Sequence, residues 1–266
     1  IDSLIQTVHL FSKDINMEFG LKKCGILVLK RGKIDKCDGV TLPDGQIMKE
    51  IEKNGYRYLG VVELDRVKER EMKEQFMKEY KRRLKLVLKS KLNGKNKIMA
   101  INIWAVAVFR YGAGIIKWTE SELKDLDRKT RKMMTLHGAF HPKSDVDRLY
   151  VRRNRGGRGL ISCEKCVKSE ENNLGWYIKN ADEVLLEGVK VADVIEFETC
   201  INKDDFKRAW ENERIKKWHE KKMYGQFARE IPETTDSIET WQWMRKSDLK
   251  IQTEALICAS QEQAVR

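Results

Sequence analysis

Proline is scarce in this chain of 266 residues: there are three, Pro43, Pro142 and Pro232. An interior proline removes a helical backbone donor and clashes with the preceding turn, so its rarity leaves most of the length open to long helices. Uninterrupted apolar runs are missing as well. The stretch Ile98 to Ile116 is broken by Asn102, Arg110, Gly112 and Gly114, whereas crossing a bilayer takes roughly 20 mostly apolar residues. It reads as a buried core helix, and no membrane partner is expected. No nucleophile elbow, Walker motif or Ser/His/Asp signature occurs. There is no internal repeat and no low-complexity tract. The six cysteines, Cys24, Cys37, Cys163, Cys166, Cys200 and Cys258, are scattered, with no secretory signal. Reduced thiols in an intracellular setting, cytoplasm or nucleus, are the expectation.

Positive charge is what the chain has in excess. Charged residues make up 35% and hydrophobic ones 41%, with a net charge of +12 and a pI near 9.3. That much apolar content argues against wholesale disorder. The length suits one or two domains with a real core. The basicity points to a polyanionic partner, with nucleic acid the first candidate.

Along the chain, Leu4, Ile5, Val8, Phe11 and Ile15 share one face at helical spacing. Cys24 to Leu29 is short, apolar and β-branched, as a buried strand should be. Val40–Leu42 and Gln46–Met48 flank Pro43-Asp44-Gly45, a tight hairpin turn. Tyr56 to Val62 reads as one more strand. From Asp65 the pattern turns helical, with Val67, Met72, Phe76, Tyr80, Leu84 and Val87 in one stripe. Asn93-Gly94 reads as a helix stop, followed by an apolar helix from Lys95 to about Phe109. Thr119 and Glu122 form a capping box, opening a helix whose Leu123, Leu126, Met133 and Leu136 should face inward. Residues 146–162 read as a Gly/Arg-rich connector. The remainder is mostly helical, with breaks near Asn202 and Pro232. Both ends fall inside helical patterns and are expected to be cuts through a larger protein.

Three constellations carry chemistry, each with two readings. Between Arg66 and Lys97, thirteen Lys/Arg stand against four Glu. Such a face neutralises phosphates in a salt-dependent, sequence-independent manner, or it is simply a solvated helix face. The run Arg152-Arg153-Asn154-Arg155-Gly156-Gly157-Arg158-Gly159 offers backbone amides and Arg155 and Arg158 guanidiniums for phosphate, or is a structural turn. His137 and His141 with Cys163 and Cys166 are a weak candidate zinc set, since their order is the reverse of a zinc finger and a lone CxxC says little. The readings favoured here are no metal site and no cofactor in this chain.

Several of these segments, in this order, resemble the reverse transcriptases of non-LTR (LINE-type) retrotransposons. Gly20 to Cys24 is similar to the family's Gly-x-x-Lys-Cys palm element, and Tyr58-Leu59-Gly60 to its primer grip. The resemblance continues through KLNGKNKIMAINIWAVAVFRYGAGIIKWT, LDRKTRKMMTLHGAFHP and DRLYVRRNRGGRGLIS to MYGQFARE and LKIQTEALICASQEQA. It implies an α+β, predominantly helical fold: a palm remnant over 1–62, a helical thumb over 63–145, and the Gly/Arg-rich connector with a helical C-terminal extension over 146–266. It implies RNA and DNA partners, a template–primer duplex, and the missing fingers and palm portion of a parent polypeptide. Lys22 and Lys23 become a possible general acid or phosphate contact, with Tyr58 and Gly60 near the primer and Lys81, Arg82, Arg83, Arg155 and Arg158 on phosphates. Equally, the two lysines edge a strand and Gly60 relieves a bulge. The family's Tyr/Phe-x-Asp-Asp metal turn is absent; the one adjacent pair, Asp204-Asp205, lies far downstream. Magnesium is expected for the intact polymerase, because phosphoryl transfer there needs clustered carboxylates around two ions, and this chain is not expected to polymerise alone. The alternatives are a non-enzymatic basic RNA- or DNA-binding protein, and a helical interaction protein from a retroelement remnant.

Overall fold

The computed structural model describes residues 2–18, 20–21, 24–51, 55–186, 203–232 and 234–265. Two compact units divide the chain within one helix, at Glu74/Gln75. Most described residues are helical, with small antiparallel sheets.

The first unit opens with helix α1 (Asp2–Asp14). Its helical periodicity is as expected, yet Leu4, Val8, Phe11 and Ile15 are exposed. Three two-stranded hairpins follow: β1 (Val28–Lys30) with β2 (Lys33–Asp35), β3 (Val40–Thr41) with β4 (Ile47–Met48), and β5 (Tyr56–Tyr58) with β6 (Val61–Glu63). The Pro43-Asp44-Gly45 turn forms where expected: Asp44 Oδ1 accepts from the Gln46 amide at 3.0 Å, and the Leu42 amide donates to the Gln46 carbonyl at 2.8 Å. The Cys24–Leu29 strand is shorter than expected, with Ile26 contributing a lone bridge to Glu50. Tyr56 to Val62 is two strands, not one. Leu59 (φ 45°) and Gly60 (φ 83°) both lie in the left-handed region, which is the two-residue turn that matches strand twist and closes a hairpin. Among this unit's described residues, the buried apolar ones are Leu42, Val61 and Met72.

Helix α2 (Glu69–Lys89) leads into the second unit. There α3 (Gly94–Ala100), a π-helical turn Ile101–Ala105, α4 (Ala107–Gly112), α5 (Glu120–Leu136), α6 (Val146–Tyr150) and α7 (Cys163–Asn180) surround a core that includes Tyr80, Leu84, Ile98, Ile101, Phe109, Leu123, Leu126, Leu149 and Val167. Tyr80 and Phe109 rings meet at 4.9 Å, and Phe109 meets Trp118 edge-on at 5.5 Å. The Thr119–Glu122 capping box forms. Leu136 departs from expectation, lying at the solvent-facing end of α5, and Met134 is buried in its place. Asn93-Gly94 begins a helix and does not stop one: Asn93 Oδ1 caps the Asn96 amide at 2.8 Å. Gly94 sits in a tight place: a Cβ there would stand 2.7 Å from Glu254 Oε2 and 3.2 Å from the Ile251 Cα. Helices α8 (Lys203–His219), α9 (Gln226–Arg229), α10 (Ser237–Thr240), α11 (Gln242–Lys246) and α12 (Ile251–Gln261) complete the unit. The expected break at Pro232 falls between α9 and α10; that at Asn202 lies outside the described residues. No helix among the described residues is long and apolar enough to cross a membrane.

The Gly/Arg-rich run is a core element, and the sequence boundary at 145/146 falls inside the second unit. Arg148 is 1% exposed. Its Nε donates to the Gly156 carbonyl at 2.9 Å and its Nη1 to the Cys258 carbonyl at 3.0 Å, while its guanidinium lies 5.1 Å from the Trp218 ring centre. The amides of Gly156, Gly157 and Gly159 are taken by the carbonyls of Arg153, Arg152 and Val151, so they are not free to cradle phosphate. A Cβ on Gly157 would stand 2.1 Å from the Val151 oxygen, and one on Gly156 2.6 Å from the Trp241 ring.

Candidate nucleic-acid interface

The helical repeat sorts α2 into two faces. Tyr80, Leu84, Val87 and Leu88 are buried. Opposite them, Lys78, Arg82, Lys85 and Lys89 recur at i, i+4, i+7 and i+11, and all four are exposed, as is Lys81 beside them. At 1.5 Å per residue the stripe is roughly 16 Å long. That matches about five steps of a nucleic-acid strand at 3.4 Å each. Lys97, counted with this run in the sequence, is buried and donates to the Leu88 carbonyl at 2.8 Å, closing the end of α2.

Glu79 organises the middle of the stripe. It accepts from Arg82 at 2.7 and 2.8 Å and from Arg83 at 2.7 Å. These hydrogen bonds hold its carboxyl at about 2, well below the usual range. Arg83 turns further inward, donating to the Trp104 carbonyl at 2.9 Å. The Arg83 and Arg82 guanidiniums lie 5.3 and 5.9 Å from the Trp104 ring centre. The π-helical turn presents this indole. In it the Val106 amide reaches back to the Ile101 carbonyl at 2.9 Å. Asn102 pins the turn from inside, donating to the Gly159 carbonyl and accepting from the Ile161 amide, each at 2.8 Å. Ile103 and Trp104 are thereby left 66% and 40% exposed. Guanidiniums beside an exposed indole combine phosphate attraction with a stacking face.

The sequence candidates divide as follows. Lys81 and Arg82 are exposed on α2, with Arg83 26% exposed beside them. Tyr58 and Gly60 are exposed at the β5–β6 tip of the first unit. Lys22 and Lys23 lie outside the described residues. Arg155 is exposed on a 3₁₀ turn (Arg153–Arg155), with Asn212 Oδ1 3.3 Å away. Arg158 corrects the expectation: it is 2% exposed, its Nε donates to Glu254 at 2.8 Å, and its Nη1 is bound to the Ala139 carbonyl. It is a structural cation, turned away from any ligand in solution.

The His/Cys quartet is not assembled, and among the described residues no group of three or more His, Cys, Asp or Glu is placed to hold a metal. Cys163 and Cys166 are buried in the core, where burial pushes the Cys166 thiol up to about 11 and that of Cys163 well above its ordinary value. His137 ends α5, and His141 Nδ1 accepts from the Lys143 amide at 3.3 Å. Asp127, on α5, turns its carboxylate to the start of α7, accepting from the Cys163 amide at 2.7 Å and the Glu164 amide at 3.3 Å. Burial pushes its carboxyl up to about 6.

Sequence reasoning missed Trp104. The available signal was that Ile103 and Trp104 fall off the buried stripe traced by Ile98, Ile101, Ala105 and Phe109. The chain matches no protein-family model, no curated protein and no solved structure.

Proposed function

We propose that this chain is the template–primer-gripping part of a reverse transcriptase of the non-LTR retrotransposon type, following the catalytic centre, with α2 as its duplex-facing helix. The carrying observation is the α2 stripe: Lys78, Lys81, Arg82, Lys85 and Lys89 exposed on one side of a helix whose other side is buried, with the Trp104 indole alongside. An ordinary solvated helix has its cations interleaved with acids; α2 carries one acid after Glu74, namely Glu79. The ordered motifs of the sequence supply the family, and the +12 charge supplies the attraction.

The chain binds and positions nucleic acid; the carboxylates that hold two magnesium ions in the family would come from outside this sequence. The test is filter binding of an RNA/DNA hybrid across a salt series, beside primer extension with magnesium. Binding that weakens steeply with salt, without extension product, is expected. Salt-independent or absent binding overturns the grip, and extension product overturns the assignment of chemistry elsewhere.

A further inference from the structure

Two adjoining concavities in the second unit share Arg155, His219 and Trp241. One, of about 540 Å³, adds Ile215, Ile238 and Arg245; the other, of about 310 Å³, adds Ile231 and Pro232. Among the described residues no carboxylate lines either of them. A larger cleft, of about 700 Å³, is different: three of its four cations meet acids, Lys124 with Glu120, Arg128 with Asp125 and Arg214 with Glu164, and the fourth, Arg131, donates to the Tyr150 hydroxyl.

Trp241 forms a wall shared by both concavities. It is 6% exposed, its ring packs on Phe227 at 5.9 Å, and Gly156 passes beneath it without a side chain. The 3₁₀ turn that carries Arg155 is fixed by Arg153, which donates to the Met244 carbonyl at 2.6 Å and to both Glu254 oxygens at 2.8 Å. Arg155 itself has a neutral neighbour, Asn212, at 3.3 Å. Arg245 is exposed on α11. Burial and the Arg229 guanidinium hold the His219 imidazole below its ordinary value, which favours its uncharged form.

Guanidiniums with no carboxylate among the described lining residues, beside flat and aliphatic side chains, suit a phosphate attached to a heteroaromatic ring, and the volumes suit a small ligand. A paired, stacked base cannot enter such a recess; an unstacked one can. We propose that this groove takes one nucleotide unit of a single strand, its phosphates on Arg155 and Arg245 and its base against His219 and Ile238. The inference rests on the nucleic-acid reading above, but it uses none of the α2 side chains.

The test is the double variant Arg155→Gln, Arg245→Gln, both exposed positions, compared with wild type and with Arg155→Lys, Arg245→Lys. Fluorescence anisotropy follows a single-stranded RNA of about ten nucleotides, within the range such sites occupy, and an RNA/DNA hybrid. For the glutamine variant, single-strand affinity falls about tenfold and the salt slope shrinks by roughly 1.4 if two phosphates are released. Hybrid binding stays unchanged, and the lysine variant keeps the slope. Unchanged single-strand affinity with intact hybrid binding overturns the groove and leaves the α2 reading standing. Equal loss for both ligands overturns it as a single-strand site. Uridine monophosphate shifting the His219 ring signals, with the RNA unaffected by the variant, overturns it in favour of a free nucleotide. Failure of wild type to bind either nucleic acid removes both readings.

Discussion

Glu254, on the last helix, meets the Arg158 guanidinium at 2.8 Å with both side chains almost wholly out of water. Arg153 adds two further contacts to the same carboxylate. Removing the carboxylate alone strands two cations, and breaking a buried pair this way costs about 3–5 kcal/mol. Glu254→Ala should lower stability by that amount in urea unfolding. All seven tryptophans lie in the second unit, so tryptophan fluorescence, excited selectively, reports this unit alone. A loss below about 1 kcal/mol, the range of a surface pair, would show that the network is not holding α12.

Asp127 makes the second unit respond to acid in an unusual direction. Its carboxyl titrates near 3.8 ordinarily and at about 6 in the fold, with burial the largest cause. Between those values the folded state keeps a proton that the unfolded chain has released. The stability from this group is therefore complete below about pH 4 and is lost as pH rises through about 6. Roughly 3 kcal/mol is at stake for a two-unit displacement. Asp127→Asn removes the titration, so its stability relative to wild type should climb between about pH 4 and pH 7. Parallel curves for the two proteins would refute the assignment.

Sequence patterns reported what is local. The Thr119–Glu122 cap, the Pro43-Asp44-Gly45 turn and the period of α2 each depend on residues within a turn of one another, and each is found. What was illegible depends on distant partners. Arg158 and Arg155 share one glycine-rich run, yet Glu254 draws the first inward and leaves the second in solvent. Lys97 follows the same cationic pattern as Lys89 and is drawn inward by the Leu88 carbonyl. Asn93-Gly94 reads as a stop until Asn93 is seen to cap α3, with Ile251 and Glu254 of the last helix crowding Gly94. The α2 half of the candidate site was legible, whereas Trp104 was marked only by falling off the buried stripe, and the π-helical turn that sets the indole beside Arg82 and Arg83 lies beyond a straight-helix reading.

The β5–β6 tip holds Leu59 at φ 45° with 71% exposure. A left-handed leucine costs roughly 1–2 kcal/mol, and asparagine is the residue this turn prefers. Leu59→Asn should firm the hairpin by about 0.5–1 kcal/mol, seen as roughly two- to fivefold slower exchange of the paired amides. Unchanged exchange would mean the strain is already relieved. If the hairpin firms while hybrid affinity falls, the Leu59 side chain itself touches the nucleic acid.

The α2 stripe separates two kinds of cation that a sequence cannot tell apart. Lys78, Lys85 and Lys89 are exposed, and replacing all three with Gln should reduce the salt slope of hybrid binding by about 2.7 if each neutralises a phosphate. Their loss should leave the melting temperature close to wild type, because surface charges contribute little to folding. Arg83 is of the other kind. It is 26% exposed and joins Glu79 on its own helix to the Trp104 carbonyl on the π-helical turn. Arg83→Ala should cost about 1–3 kcal/mol of stability through lost charge-assisted hydrogen bonds, and it should leave Arg82 as the guanidinium beside the Trp104 indole. Its effect on the salt slope should be smaller than that of any one lysine. A triple lysine variant that melts early with an unchanged slope, or an Arg83 variant with the reverse pattern, would exchange their roles and remove the stripe as the phosphate-facing surface.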